Sequence, residues 1–305
     1  MVIVLLGKNG QLGWELQRSL LPLGEVVALD YPQIDVAQPD TYVNLLRDAA
    51  PRVIINAAAY TDVERAEAEP ERAFAVNGTA PGVLAEQAVG MGAALIHYST
   101  DFVFDGKKTS PYLETDPIGP LNQYGVSKLA GEQAVLQAGT SYLILRTAWL
   151  YSLRGHSFIT RVLKGARQKQ SLRMVTDQVG SPTWARLLAE VTALLLARGG
   201  EDAPGWLAER RGVYHLACSG QANRLQWAQE ILRLDPHREE QVVEVVLPAR
   251  SEEFPSPVKR PAYSVLDCSR FNRVFNMSLP EWRLALRLAM DTSTVLAASQ
   301  SARPG

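Results

Sequence analysis

The chain has 305 residues, of which 47% are hydrophobic and 21% charged, and its formal net charge is −1. This composition is typical of an ordinary globular protein, long enough for a large α/β unit with a smaller lobe. Acidic and basic residues are mixed throughout, which excludes the basic footprint of a nucleic-acid-binding protein.

The apolar runs are too short for targeting or membrane insertion. The first covers residues 1–6 and lacks the basic flank of a signal peptide. The second, residues 187–197, is interrupted by Glu190 and is shorter than a membrane span. We therefore expect a cytoplasmic protein that has no membrane partner.

The cysteines and histidines do not predict a metal site. Cys218 and Cys268 have no metal-like spacing, and the four histidines are scattered without a His-x-x-x-His pair. We expect free thiols and no metal site built from histidine and cysteine, while a requirement for Mg²⁺ stays open.

The chain opens with a predicted strand, a glycine loop and a helix. The strand covers residues 2–6 and the helix residues 11–21, and between them glycine recurs at Gly7, Gly10 and Gly13. Glycines let the backbone approach a pyrophosphate, whose charge is met by the helix N-terminus. A glycine-rich turn without a ligand is the alternative, but the flanking strand and helix favour a dinucleotide site.

A second strand, residues 25–29, ends next to Asp30. An acid at this position can accept hydrogen bonds from the ribose hydroxyls of a dinucleotide. Because Asp30 would repel a ribose 2′-phosphate, NADH should be usable. Lys8, within the loop, could offset part of that repulsion, so we expect NADPH to be used as well.

Strands and helices then alternate, which predicts a doubly wound parallel sheet. A helix from 39 to 49 precedes a buried strand at 53–56, and a proline-interrupted helical region at 63–91 precedes a strand at 93–99. Alanines at 57–59 leave room for a flat ligand beside the sheet, although simple close packing would explain them equally well.

Three residues between Ser99 and Lys128 suggest catalytic chemistry. Thr100 stands at a predicted strand end, and Tyr124 and Lys128 lie four residues apart on one face of a predicted helix. A positive charge favours an ionised phenol, so Lys128 is expected to lower the pKa of Tyr124. Such a phenol can give a proton to a carbonyl oxygen that Thr100 also holds. Alone, the pair is a weak motif, because this spacing also arises by chance.

After a strand at 142–146 the alternation weakens. The later predicted elements are helices at 158–168, 225–232 and 280–290, and strands at 172–175, 212–217 and 241–246. We divide the chain into a Rossmann-type dinucleotide-binding domain (1–151), to which later segments can return, a mainly substrate-binding lobe (152–291) and a disordered tail (292–305). The proline-rich loop 254–261 suits a binding loop, in which Arg260 or Lys259 could meet a diphosphate.

As an ordered set, these segments resemble an extended short-chain dehydrogenase/reductase and, within it, the dTDP-4-dehydrorhamnose reductase family. The matching segments cover nearly the whole chain in the family's order: Gly7–Gly13, Asn56–Thr61, Ser99–Gly106, Tyr124–Lys128, Arg146–Trp149, Asp177–Thr183 and Arg260–Asp267. Each is weak by itself, but together they are specific.

The resemblance implies a role for individual residues. Tyr124 would donate the proton, Lys128 would also hold the nicotinamide ribose, and Thr100 would steady the oxyanion. Asp101 and Trp149 would lie close to the sugar nucleotide, together with Arg260. The implied cofactor-binding residues are Gly7, Gly10, Gln11, Leu12, Gly13, Asp30, Asp35, Val36, Ala59, Tyr60, Thr61, Tyr124 and Lys128.

The family uses NADPH or NADH to reduce the 4-keto group of dTDP-4-dehydro-L-rhamnose, giving dTDP-L-rhamnose for surface polysaccharides. We therefore expect a nucleotide sugar as the substrate, no nucleic-acid partner, and a homodimer as an open possibility. In one departure, Phe102 stands where the family often has tyrosine. The missing hydroxyl affects sugar recognition more than the chemistry.

Three alternatives stay open. Related epimerases and dehydratases share the tyrosine and lysine, but 4,6-dehydratases place Asp-Glu directly after the threonine. This chain has Asp101-Phe102 there, which argues against dehydration. The chain could reduce another 4-keto sugar nucleotide. It could also be a non-catalytic protein similar to the regulatory subunit of methionine adenosyltransferase, which keeps a dinucleotide cleft. The intact Thr100, Tyr124 and Lys128 favour an enzyme.

Overall fold

The computed structural model describes residues 1–139 and 141–298. Its strands, in chain order, are β1 (Val2–Leu6), β2 (Glu25–Leu29), β3 (Val53–Asn56), β4 (Ala94–Thr100), β5 (Ser141–Thr147), β6 (Leu150–Tyr151), β7 (Ser171–Val175), β8 (Val179–Gly180), β9 (Thr183–Trp184), β10 (Gly212–His215), β11 (Ala222–Asn223) and β12 (Val245–Ala249). Its α-helices are α1 (Gln11–Leu20), α2 (Val43–Ala49), α3 (Val63–Ala68), α4 (Pro70–Phe74), α5 (Ala80–Met91), α6 (Gln123–Ala138), α7 (Phe158–Ala166), α8 (Ala185–Gly199), α9 (Ala203–Ala208), α10 (Arg224–Leu234), α11 (Ser269–Phe275) and α12 (Trp282–Ala298).

The centre of the fold is a parallel six-stranded sheet in the order β10-β5-β4-β3-β1-β2. From β1 the chain winds in one direction to β2 and in the other direction through β3, β4 and β5. Such a reversal opens a crevice at the carboxyl ends of the strands, where open α/β sheets bind their ligands. The predicted Rossmann-type, doubly wound fold is confirmed.

Strand β1 shows why this segment folds as a central strand. Ile3 and Leu5 pack into the cluster that contains α1 and α8, whereas Val4 and Leu6 pack into the cluster that contains α2 and α5. All four side chains are fully buried. A parallel strand covered on both faces is therefore a continuous apolar run in the sequence.

The later part of the chain contributes to the same sheet. Strand β10 pairs in parallel with β5, so the sheet draws on both sides of the predicted boundary at residue 151. The remaining short strands form the pairs β12·β7, β11·β8 and β6·β9 beside it.

At the C-terminus, α12 runs to Ala298, past the predicted start of the tail at Thr292. The rest of the predicted tail, residues 299–305, lies outside the described residues. Within the described ranges, no helix has both the length and the apolar character needed to cross a membrane.

The contact between α6 and the π-helical segment Ala75–Thr79 requires a glycine. A Cβ at Gly131 would lie 2.1 Å from the Asn77 carbonyl oxygen, which belongs to the backbone and cannot rotate away. We expect Gly131→Ala to destabilise the protein by roughly 1–3 kcal/mol or more, the usual scale of overpacking. Urea denaturation measures this change.

Gly90 is the matched control, because it lies on α5 and a Cβ at this position would meet no atom within 4 Å. There, Gly90→Ala should stabilise the helix by roughly 0.5–1 kcal/mol. Equal unfolding midpoints for the two variants would contradict the close-packing argument.

Candidate active site

A cleft of about 680 Å³ opens at the carboxyl edge of the sheet. The glycine loop, the ends of the central strands, the start of α6 and parts of α7 and α10 form its walls. The predicted site residues that line it are Gly7, Gly10, Gln11, Leu12, Asp30, Asp35, Val36, Ala59, Tyr60, Thr61, Thr100, Asp101, Tyr124, Lys128 and Trp149. Gly13 and Arg260 lie outside its walls.

The glycine loop fits a diphosphate. Gly7 has a φ of +87°, and a Cβ there would lie 2.5 Å from the Ala58 nitrogen. Gly10 precedes α1 and supplies no side-chain cap, so the first backbone N–H groups of the helix remain available to a ligand. Gly13 has another role: its Cβ would lie 1.9 Å from the Gly7 carbonyl oxygen, so it lets α1 pack against the loop.

Asp30 is held rigidly at the end of β2. Its two carboxylate oxygens accept hydrogen bonds of 2.8 Å from the backbone N–H groups of Asn9 and Tyr31. The Lys8 ammonium donates instead to the Ala28 carbonyl oxygen at 3.1 Å. The carboxylate lines the cleft and forms no ion pair with Lys8 among the described residues.

Helix α6 places the phenol and the ammonium in the cleft. The Asn122 side chain caps its N-terminus by accepting from the Gly125 N–H at 2.9 Å. Tyr124 lies in the first turn, and its ring packs edge-to-face with the Phe102 ring, with 5.6 Å between the two ring centroids. Lys128 lies one turn later, and its Nζ donates to the Tyr98 carbonyl oxygen at 2.6 Å. As predicted, Tyr124 and Lys128 face the same cleft.

The predicted pKa shift of Tyr124 is wrong in direction. Desolvation raises the pKa of Tyr124 to about 12, and the hydrogen bond with Thr100 opposes this rise only in part. Lys128 does not reverse this rise. Burial lowers the pKa of the Lys128 ammonium itself to about 8. A phenol with a raised pKa keeps its proton at neutral pH, as a proton donor must.

Thr100 ends β4 beside this pair. Its hydroxyl donates to Asp101 Oδ1 at 3.1 Å and accepts from the Phe102 N–H at 3.2 Å. Burial raises the pKa of Asp101 to about 6, although the Ser264 and Thr100 hydroxyls and the Arg224 guanidinium favour its charged form. A carboxylate whose pKa is raised by burial therefore lies directly beside the candidate catalytic threonine.

The opposite wall carries guanidinium groups that the sequence analysis missed. Arg224, at the start of α10, stacks over the Trp149 ring at 3.5 Å from its centroid, and Trp149 packs against Trp227. Desolvation lowers the pKa of Arg224 to about 9. Arg161 and His156 also line the cleft. The capping residues Asn223 and Gln226 signal the start of this helix in the sequence.

Arg260, in contrast, does not line the cleft and forms an ion pair with Glu64. Its guanidinium lies 3.0 Å from a Glu64 carboxylate oxygen and 3.1 Å from the Ser256 hydroxyl. It is near enough to Arg224 to help lower the pKa of that residue. A substrate-binding role for Arg260 stays a prediction.

Comparison with known proteins gives a consistent result. A family model described as "RmlD substrate binding domain" matches residues 1–295. The dTDP-4-dehydrorhamnose reductase of Burkholderia thailandensis is 43% identical over 294 residues, which are 95% of this chain and 98% of that protein.

Solved structures agree with the sequence relatives. A dTDP-4-dehydrorhamnose reductase from Clostridium acetobutylicum has a TM-score of 0.86 and 34% identity, over 96% of this chain and 99% of that one. The enzyme of the same name from Bacillus anthracis, solved with NADP, has a TM-score of 0.86 and 29% identity, over 95% of this chain and 99% of that one.

Below the cleft, a buried ion pair ties α6 to β5. Arg146 donates to both carboxylate oxygens of Glu132, at 2.9 and 2.6 Å, and the Ser99 hydroxyl donates to one of them at 2.5 Å. We expect Arg146→Leu to destabilise the protein by roughly 3–5 kcal/mol, because it leaves a buried carboxylate unpaired. Urea denaturation at neutral pH measures the loss.

Arg283 provides the control, since it pairs with Glu281 at the surface, where both side chains are about half exposed. Arg283→Leu should cost no more than about 1 kcal/mol. A loss of similar size in both variants would show that burial of the Glu132 pair is not what makes it important.

Proposed function

The chain belongs to the dTDP-4-dehydrorhamnose reductase family, and on this basis we propose that Thr100, Tyr124 and Lys128 carry out its reaction. It is an NAD(P)H-dependent oxidoreductase that reduces the 4-keto group of dTDP-4-dehydro-L-rhamnose to give dTDP-L-rhamnose. One observation supports the residue assignment above the others: a strand-end threonine, a protonated phenol and a buried lysine side chain share a cleft with a dinucleotide loop.

The side chains divide the work of the reduction. When bound, the reduced nicotinamide supplies the hydride. The Tyr124 hydroxyl holds the proton that the carbonyl oxygen takes up, and its raised pKa ensures that the proton is present. The Thr100 hydroxyl, which donates to Asp101 in this structure, can turn to the same oxygen. Lys128 would hold the nicotinamide ribose.

The loop residues would hold the rest of the cofactor. Gly10, Gln11 and Leu12 would meet the diphosphate at the N-terminus of α1, and Asp30 the adenosine ribose. Asp35 and Val36 would flank the adenine, and Ala59, Tyr60 and Thr61 would line the path between the two nucleotides. Since Asp30 suits a free 2′-hydroxyl, we propose that NADH is used as well as NADPH.

We propose that Arg224 binds the diphosphate of the sugar nucleotide. Its guanidinium lines the cleft and has no ion-pair partner among the described residues, whereas Arg260 is paired with Glu64. A single guanidinium group can donate two parallel hydrogen bonds to phosphate oxygens. A desolvated arginine at this place is therefore well suited to bind a diphosphate. Arg161, on the same wall, can add a second contact.

The broader assignments follow from this division. We propose that residues 1–151 mainly bind the cofactor and residues 152–291 mainly bind the substrate. We further propose that the enzyme works in the cytoplasm as a homodimer, which size-exclusion chromatography with light scattering distinguishes from a monomer. Assays with and without Mg²⁺ decide whether a divalent ion is required.

The main test is turnover. Purified protein, NADPH or NADH, and dTDP-4-dehydro-L-rhamnose should give a decrease at the nicotinamide absorbance band. A free 4-keto sugar should react far more slowly, because remote binding energy positions the reacting carbon. Tight cofactor binding without oxidation by any 4-keto sugar nucleotide would instead support the regulatory-subunit alternative, which the reductase relatives disfavour.

Tyr124→Phe tests the proton donor. The variant should bind the cofactor nearly as well as the wild type and lose roughly 100-fold or more in turnover, the usual scale for a general acid. Lys128→Met should also weaken cofactor binding, since this side chain has two roles. Fluorescence titration and steady-state kinetics separate the effects. Wild-type turnover in Tyr124→Phe would mean that another group supplies the proton.

Arg224→Met and Arg260→Met test the diphosphate assignment as a matched pair. Loss of a paired guanidinium–phosphate contact should raise the KM for the sugar nucleotide by roughly 10-fold or more in Arg224→Met, since charge-assisted hydrogen bonds are worth about 1.5–3 kcal/mol. Arg260→Met should change it much less. The reverse order of effects would restore Arg260 as the diphosphate ligand.

A further inference from the structure

A chain of buried polar groups runs beneath the cleft from β3 to α6. The Ala58 N–H donates to Asn56 Oδ1 at 3.1 Å, and Asn56 Nδ2 lies 3.2 Å from His97 Nδ1. On the other side of the ring, His97 Nε2 lies 3.4 Å from Lys128 Nζ. Asn56 and His97 are fully buried, and Lys128, at the floor of the cleft, is only 2% exposed.

The hydrogen bond from the Ala58 N–H to Asn56 fixes the donor and acceptor roles of the other groups in this buried series. Because the Ala58 N–H occupies Asn56 Oδ1, the Asn56 amide presents its NH₂ group to His97. His97 Nδ1 must therefore accept a hydrogen bond. The single proton of a neutral imidazole then lies on Nε2, which faces Lys128.

His97 is held in this neutral form. A second proton, on Nδ1, would face the Asn56 NH₂ group and add a positive charge next to Lys128. Burial and the neighbouring Lys128 both keep the pKa of His97 well below its usual range. The imidazole therefore directs an N–H group toward Lys128 throughout the neutral pH range.

The consequence falls on Lys128. An ammonium has donors only, so the Nε2–H of His97 opposes it. A neutral amine has a lone pair that can accept from Nε2–H while one of its own N–H groups still donates to the Tyr98 carbonyl oxygen. The geometry thus favours the amine over the ammonium.

We propose that His97, oriented by Asn56, is a positioning residue that keeps Lys128 close to the balance between ammonium and amine. Lys128 can then exchange a proton near neutral pH while it supports Tyr124. The catalytic role of this proton exchange rests on the proposed function. The tautomer of His97 and its effect on the protonation of Lys128 do not, because both are properties of the protein without ligands.

The other charges around Lys128 agree with this assignment. Burial is the main cause of its lowered pKa of about 8, and Glu132, one turn further along α6, acts in the opposite direction. The Glu132 carboxylate is bound to Arg146 of β5 and Ser99 of β4, so it does not form an ion pair with Lys128. Tyr124, on the same helix, is neutral at this pH.

The first test is the tautomer of His97 in the wild-type protein, read from long-range ¹H–¹⁵N couplings of ¹⁵N-histidine. His215 is an internal reference of the opposite kind, since its Nδ1 lies 3.0 Å from the Tyr112 carbonyl oxygen and must carry the proton. We expect the proton of His97 on Nε2 and that of His215 on Nδ1. A proton on Nδ1 of His97 would overturn the proposal.

The second test uses His97→Gln, whose side-chain carbonyl oxygen can accept from the Lys128 ammonium. If the Nε2–H of His97 helps to lower the pKa of Lys128, that pKa should rise when the N–H group is removed. The titration midpoint of the Lys128 ¹³Cε resonance, which we expect near 8 in the wild type because burial lowers the pKa of this group, should therefore rise by at least one pH unit, a tenfold change in the proton-binding constant. The high-pH limb of kcat/KM should move in the same direction.

His215→Gln is the matched control, because it alters a buried histidine that contacts Tyr112 and Phe104 rather than Lys128. It should leave the Lys128 midpoint unchanged. An unchanged midpoint in a folded His97→Gln protein would overturn the proposal, and if that variant does not fold, the wild-type tautomer decides. The expected tautomer and midpoint shift without any turnover would disprove the proposed function but not this inference.

Discussion

The hydrogen bond from Lys128 Nζ to the Tyr98 carbonyl oxygen is the contact on which the catalytic geometry depends. It joins α6 to β4, and the same two elements carry Tyr124 and Thr100. Since a buried ammonium or amine without a partner would cost several kcal/mol, on the order of the penalty for other buried charges, the bond constrains the whole junction. The buried Glu132–Arg146 pair holds α6 to β5 one turn further along. Together the two contacts fix the helix in both position and rotation.

Much of the fold follows from local patterns in the sequence. The apolar run 2–6, the glycine loop and Asp30 predict the first βαβ unit, because each feature acts through neighbours close in the chain. The predicted boundaries of a strand are wrong where its pairing is non-local and exposed. The strand predicted at 241–246 is found as β12, Val245–Ala249, which among the described residues pairs with β7 alone. Short-range propensity is weak in such an edge strand, so its partner decides where it begins and ends.

The site shows the same division between local and long-range information. The spacing of Tyr124 and Lys128 puts them on one face of a helix, which the structure confirms. Their pKa shifts could not be derived from spacing, because desolvation by distant segments outweighs the attraction between two neighbours. Arg224 was missed for a related reason. The pairing of β11 with β8 brings Arg224 to the cleft, and no local sequence pattern predicts that pairing.

Desolvation also explains how one cleft can hold the three groups to which we assign proton donation, proton exchange and nucleotide binding. Burial raises the pKa of Tyr124 and lowers those of Lys128 and Arg224, so each group moves toward its neutral form. Tyr124 thereby keeps its proton, whereas Lys128 comes within reach of releasing one. Arg224 starts from so high a value that it stays charged at neutral pH, and the loss of water strengthens its attraction for an anion. A single physical effect therefore produces three different roles, because the ordinary pKa values of the three side chains differ.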